Sequence, residues 1–388
     1  MTKIPRYNFL DLYRGLFVLL MIEGHTVRTV LESASKATRF FEIHEMLHGL
    51  TGPGFLFGAG FAFAIATLRR WDILRSLNVQ FFRRVWRAIL LILVGYSLHL
   101  PFYSLSKLVS NATPQHLDEF FAFGVLQCIG FTLLGLRLLL FVIKEEAPFL
   151  LATGLVLFLT VFGAPLLWTS GVNEAVPRFI GQGLNGLYGS FYPFFPYAGY
   201  MLAGVLVSWL FIRRSATGEE EAFMRRLAIS GGGLILVSLV LSTFFMTPTI
   251  VEIPYAARPS VMTMYLGVLC LLMSGLWYLE NVVINRKNAG PMKPAWLVQA
   301  GLESFFLYIT HLFVVYGWIF NPRINLRYFW EDQLSWSESL VVLVVVTFVL
   351  VIVSRGWRYA KRGHPVIMQG IYWWMGITFV YYFITNPF

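Results

Sequence analysis

Apolar positions in this chain come in long blocks broken by short polar stretches. The blocks run to roughly 18–25 residues, the length a helix needs to cross a bilayer. Transmembrane strands would read instead as short segments of alternating polarity, and no such segments are present in the sequence. The pattern predicts about eleven spans, near 10–30, 49–68, 85–106, 119–143, 147–168, 190–212, 227–247, 259–283, 297–320, 337–355 and 366–386. The expected fold class is an all-α polytopic membrane protein, a bundle of about eleven transmembrane helices.

Cations between the blocks give the bundle a direction. Arg69, Arg70, Arg75, Arg83, Arg84 and Arg87 crowd the connection after the second block. Lys144 follows the fourth, and Arg213, Arg214, Arg225 and Arg226 flank the connection after the sixth. Arg286, Lys287 and Lys293 follow the eighth, and Arg355, Arg358, Lys361 and Arg362 the tenth. The alternate connections are poor in Lys and Arg. Cytoplasmic loops carry the excess of Lys and Arg, so the N-terminus is expected inside and, with an odd span count, the C-terminus outside. The first block lacks a small-residue cleavage site and is read as a retained span. Residues 1–388 are read as a single integral-membrane domain.

Composition agrees: 57% of residues are hydrophobic and 13% charged, against about 25% charged in soluble chains. The net charge of +10 is accounted for by the cytoplasmic loops, and no nucleic-acid partner is expected. Cys128 and Cys270 both fall inside apolar blocks and are read as packing residues.

Ionisable groups within spans are expensive and therefore point to function. The first span holds Asp11, Arg14, Glu23 and His25. At 100° per residue Arg14 and His25 share a face, about 16 Å apart along the axis. Asp11 lies within about 60° of Arg14, and Glu23 falls nearly opposite it. One stripe therefore carries Asp11, Arg14 and His25; the plainer alternative is a local interface pair and an interface histidine. His44 and His48 come just before the second span, followed by a glycine run with Pro53. Irregular backbone at membrane depth is tolerated only against protein or a wet cavity. Glu303 and His311 in the ninth span are expected about 80° apart on one broad face of a continuous helix; interhelical hydrogen bonding is the plainer account of them.

His44-Glu45-Met46-Leu47-His48 also reads H-E-x-x-H, the zinc-protease pattern. Gly49 and Gly52 shorten the helix that pattern needs, and its third ligand would have to be Asp118, Glu119 or Glu303. No metal is expected.

The residues resemble a known group. FLDLYRGLFVLLMIEGH places Arg14, ten residues and then His25, the spacing of the bacterial acyltransferase-3 family. HGLTGPGFLFGAGFAFA, RRVWRAILLILVG, GVLQCIG and FYPFFPYAGYMLAGVLVSW resemble successive segments of the heparan-alpha-glucosaminide N-acetyltransferase family and its bacterial relatives. That family has its catalytic histidine shortly before the GLT turn, here His44; the acyltransferase-3 pattern nominates His25. The chain departs from the family at His25, where asparagine is usual, at Cys128, where arginine is usual, and at Tyr197, where tryptophan is frequent.

The resemblance implies an enzyme of the bacterial plasma membrane using acetyl-CoA as co-substrate and a glycan or glycolipid as acceptor. Arg14, Gln127, Arg83, Arg84 and Arg87 would hold the donor. His44 would act as general base and His25 would polarise the thioester, with a covalent acyl-histidine as the other route. Asp11, Glu303 and His311 would support them. The family's biology leaves a homodimer open. A glycan or lipid transporter is the alternative reading, argued against by the lack of paired broken helices in the sequence.

Overall fold

The computed structural model describes residues 7–68, 71, 76–246, 253–284 and 295–386. Arg69, Arg70, Arg75, Arg286, Lys287 and Lys293, used above for orientation, lie outside these. Among the described residues the regular structure is helical, apart from an isolated bridge between Leu31 and Leu334.

Helix α1 spans Asn8–Val30. Helices α2 (Arg39–His48) and α3 (Thr51–Leu68) follow and form one candidate span. Then come α4 (Val79–Leu98), α5 (Val125–Val142), α6 (Glu146–Thr169), α7 (Phe194–Ala216) and α8 (Glu220–Met246). Helix α9 (Pro259–Tyr278) continues into a π-helical turn. Helices α10 (Ala295–Leu302) and α11 (Ser304–Tyr316) are bent apart by 90°. Helices α12 (Trp336–Gly363) and α13 (Pro365–Thr385) complete the series.

Seven of the described helical stretches are long and apolar enough to cross a membrane, and the bent pair α10–α11 makes an eighth if it is one span. Helices α1, α4 and α13 have 23, 20 and 21 residues, also a spanning length. They are less apolar for visible reasons. Helix α1 carries Asp11, Arg14, Glu23 and Arg28; α4 carries Arg83, Arg84 and Arg87; α13 is crowded with Trp and Tyr. Several long helices turn large apolar side chains outward: Leu151 is 76% exposed and Val344 66%. A soluble fold rarely presents such patches. The chain is an integral membrane protein.

The described residues gather into two compact units. One comprises Gly52–Phe102 and Lys107–Gly275. In it α4 packs along α5, and α6 along α7. Helix α4 begins six residues before the expected start of the third span, because the Asn78 side chain accepts a hydrogen bond from the Phe81 N–H (3.0 Å) and caps it. Arg83 and Arg84 thus sit on helix, in line with Arg87, rather than in the connection before it. The helix ends short of Pro101, as the restriction on a residue preceding proline favours. The fourth span begins at Val125, not 119, because a short helix Pro114–Phe121 ends before Gly124, the N-cap of α5.

The second unit comprises Pro5–Thr51, Tyr103–Ser106 and Leu276–Phe388. Helix α1 is its centre, packed by α10, α11 and α12. Gly15 lies against the Leu297 carbonyl and Gly301 against the Asp11 carbonyl, so neither position has room for a Cβ. Lipid chains are as apolar as leucine, and close contact through small residues is what holds helices together in a bilayer. The expected single helix over 297–320 is broken at Glu303, whose φ of −102° and ψ of 24° leave the helical region. Its carboxylate, 6% exposed, accepts a hydrogen bond from Lys361 Nζ at 2.6 Å. The break removes the premise that Glu303 and His311 share one helical face. Helix α12 continues eight residues past the expected 355, so Arg355, Arg358, Lys361 and Arg362 lie on its last turns. Cations there complement the negative end of the helix.

Candidate functional site

The site is assembled where α2 crosses α1. Thr38 starts α2 by accepting a hydrogen bond from the Phe41 N–H (3.4 Å). The helix then places His44 and His48 four residues apart on one face. Their rings are parallel within 4°, with centroids 6.4 Å apart. On α1, Gly24 makes room for this face: a Cβ at position 24 would overlap the His48 imidazole. The neighbours of Gly24 project about 100° to either side of it and flank the histidines. His44 Nε2 lies 2.5 Å from Glu23 Oε1. His25 meets His48 edge-on at 5.7 Å. Glu23 is therefore part of the cluster, although it lies opposite Arg14 on the helical wheel. The partner helix sits over the residue between Glu23 and His25, so both reach it.

On the other side His25 reaches α11. Its Nδ1 shares a 2.8 Å hydrogen bond with the Tyr316 hydroxyl. Its ring lies 5.1 Å from that of His311. His311 is fully buried and its Nδ1–H donates to the Leu307 carbonyl at 3.0 Å. That bond fixes the tautomer and leaves Nε2 with a lone pair; Nε2 has no hydrogen-bond partner among the described residues. Arg28 pairs with Glu45 through its guanidinium, Nε lying 3.3 Å from Oε1. Phe41 stacks on His44 at 5.4 Å and Trp336 meets it edge-on at 6.1 Å.

This geometry has a chemical consequence. A carboxylate only accepts hydrogen bonds, so Glu23 holds the proton of His44 on Nε2 and leaves the lone pair on Nδ1. Nδ1 is buried and has no hydrogen-bond partner among the described residues; Glu45 Oε1 is 3.4 Å away but is engaged with Arg28. A histidine oriented by a carboxylate on one nitrogen is the arrangement of a general base.

The remaining residues expected at the site fall in two places. Arg14 Nη2 donates to Ser304 Oγ at 2.7 Å, at the start of α11. Arg14 and His25 therefore both face α11 and lie on one side of α1. Asp11 is buried on that helix, its carbonyl against Gly301. Glu303 is bound to Lys361 and does not join the histidines. Gln127, Arg83, Arg84 and Arg87 belong to the other unit. Gln127 Oε1 accepts the Gly124 N–H at 3.2 Å, so its side chain folds back on the start of α5. Arg83 and Arg87 are exposed and Arg84 is half-buried.

No group of three His, Cys, Asp or Glu side chains among the described residues is placed to hold a metal ion. Of the carboxylates considered for a third zinc ligand, Asp118 pairs with Arg178 and Glu303 with Lys361. Cys128 and Cys270 are free thiols, both buried.

Sequence reasoning left out Glu23, Tyr316 and the Arg28–Glu45 pair. Glu23 had a signal, being a charge inside a span. Tyr316 had none, because the tertiary path of α11 alone brings it to His25.

The packing of α2 on Gly24 makes a prediction. Gly24→Ala is expected to displace His48 and lower stability by about 1–3 kcal/mol, the usual range for forced overpacking. A thermal midpoint in detergent equal to that of the unmodified chain would show that α2 does not seat there.

Comparison with known families places a match over residues 6–236, more than half of the chain. The matching family model is described as heparan-alpha-glucosaminide N-acetyltransferase, catalytic. Glu23, His25, His44 and His48 lie inside the matched stretch; His311 and Tyr316 lie beyond it. Comparison with curated proteins finds no match.

Proposed function

The chain belongs to the heparan-alpha-glucosaminide N-acetyltransferase family, and on that premise we propose that it moves an acetyl group from cytoplasmic acetyl-CoA to a glycan or glycolipid on the outer side. The observation that carries the mechanism is the 2.5 Å contact between Glu23 and His44.

His44 Nδ1 takes the proton from the acceptor hydroxyl or amine as that atom attacks the thioester carbonyl. A bond forms between the acceptor atom and the acetyl carbon, the carbon–sulfur bond breaks, and the proton passes to the departing thiolate. Glu23 stabilises the imidazolium in between. With the Tyr316 hydroxyl donating to Nδ1, His25 presents its Nε2–H to the oxyanion that develops on the carbonyl. Arg83, Arg84 and Arg87 on α4 are assigned to the phosphates of the donor. In this reading the α10–α11 pair counts as one span and α1, α4 and α13 also cross, giving eleven crossings with the N-terminus inside.

The test is transfer itself. Purified protein in proteoliposomes is given acetyl-labelled acetyl-CoA and a glucosamine-terminated oligosaccharide. Label in the oligosaccharide, with one thiol released per acetyl transferred, is the expected result. Thiol release that does not depend on the acceptor, or none at all, would count against it.

The broken pair α10–α11 gives the transporter reading one observation in its favour, since discontinuous helices line many transport sites. The two readings separate at His44→Ala, which stops acetylation but leaves passage of a glycan intact.

A further inference from the structure

Helix α5 carries a charge that the proposed reaction does not use. Arg137 is the only Asp, Glu, Lys, Arg or His in Val125–Val142, and it is 5% exposed. An arginine within an apolar helix is costly and, by default, marks a functional site. Its guanidinium lies over the Phe63 ring at 4.7 Å. A ring face satisfies charge but not the five N–H donors of a guanidinium. Arg137 Nη1 has no hydrogen-bond partner among the described residues, and no acidic side chain among them pairs with it.

Two further groups converge on the same place. Thr67 follows Phe63 by four residues on α3 and so lies on the same face. It is 1% exposed, and its hydroxyl also lacks a partner among the described residues. Helix α4 supplies the second cation. Gly95 of α4 meets Gln127 of α5, and Ala88 and Ile92 of α4 meet Gly130 of α5. Position numbers fall on α4 as they rise on α5, so the helices are antiparallel. Continued two turns, that register sets Arg84 beside Arg137.

We infer that Arg137, Arg84 and Thr67 form a site for a phosphate ester, with the buried guanidinium and hydroxyl hydrogen-bonding its oxygens. Arginine suits this task because its planar fork matches phosphate oxygens and stays charged. The phosphate is supplied either by the acyl-CoA donor or by the headgroup of an anionic lipid. Only the first source rests on the function proposed above.

The experiment uses the full chain, purified in detergent, and its thermal midpoint. The probes are CoA, pantetheine (the same thiol arm without phosphates) and phosphatidylglycerol against phosphatidylcholine. CoA or phosphatidylglycerol is expected to raise the midpoint, and pantetheine and phosphatidylcholine are not. Arg137→Met is expected to weaken that response at least about tenfold in ligand concentration, the effect of losing a hydrogen bond to a charged group. It is also expected to raise the ligand-free midpoint, because it removes a buried unpaired charge. Thr67→Val, close in shape, is expected to weaken the same response and keep the fold.

A response to CoA lost in Arg137→Met assigns the site to the donor. A response to phosphatidylglycerol alone, lost in the same variant, keeps the site and removes support for a CoA donor. Equal responses in both proteins overturn the site and leave the acetyltransferase reading standing. So does an Arg137→Met protein that melts earlier or aggregates without ligand, because Arg137 would then be a structural partner of another group.

Discussion

His44→Ala is expected to lower acetyl transfer about 100- to 10,000-fold, the range for removing a positioned general base, while the protein stays folded. The side chain is only partly buried, so truncation leaves a small, wettable gap rather than a dry cavity. Glu23→Gln is the sharper variant. Glutamine can donate its amide N–H to His44 Nε2, which then has to accept and moves the ring proton to Nδ1. That exchanges the two nitrogens and removes the lone pair facing the acceptor, so its loss should approach that of His44→Ala. Glu23→Asp keeps the charge and should recover part of the activity. The checks are kcat/KM at saturating acetyl-CoA and the thermal midpoint of each variant. His44→Ala within about threefold of the unmodified enzyme would end the assignment of a base to this residue. If His25→Ala alone abolished transfer, the base would lie on α1.

Lys361→Met is expected to destabilise the protein by about 2–3 kcal/mol. Breaking a fully buried ion pair costs about 3–5 kcal/mol, because the surviving charge is left without compensation. The figure is lower here because Lys361 is 43% exposed while Glu303 is 6% exposed. Glu303 stands at the N-terminus of α11, where the helix dipole favours an anion. The double variant Glu303→Gln with Lys361→Met removes the stranded charge and should recover most of the loss. Unfolding in one detergent under one set of conditions compares the three proteins. Equal destabilisation of the single and double variants would mean that the lysine stem, not its charge, matters.

The sequence was most legible where bilayer physics is strict. Apolar blocks of spanning length marked every long helix, and the boundaries of α6, within one residue at each end, show how well a clean block is read. The misses have local causes. Asn78 extended α4 backwards through Arg83 and Arg84, which lie ahead of the expected span. The cations after residue 355 looked like loop chemistry, yet they complement the end of a helix that continues beneath them. The break at Glu303 had only Gly301, two residues earlier, to announce it, and that glycine sits in a close helix contact; a tertiary ion pair joins Glu303 at the break. At the site, helical geometry correctly put Arg14 and His25 on one side of α1, both facing α11. The same wheel set Glu23 aside, because it has no knowledge that a second helix rests on Gly24. Tyr316 and His311 became neighbours of His25 only through the path of α11.

The contacts at Gly15 and Gly301 bear on which parts of the second unit can move. Each glycine holds a backbone carbonyl of the facing helix where a side chain would otherwise stand. Neither α1 nor α10 can slide along the other without lifting out of this interlock, so the two travel as one piece. The bend at residue 303 then turns α11 away from the line of α10. It is this turn, set against a fixed α1–α10 pair, that brings Tyr316 and His311 beside His25.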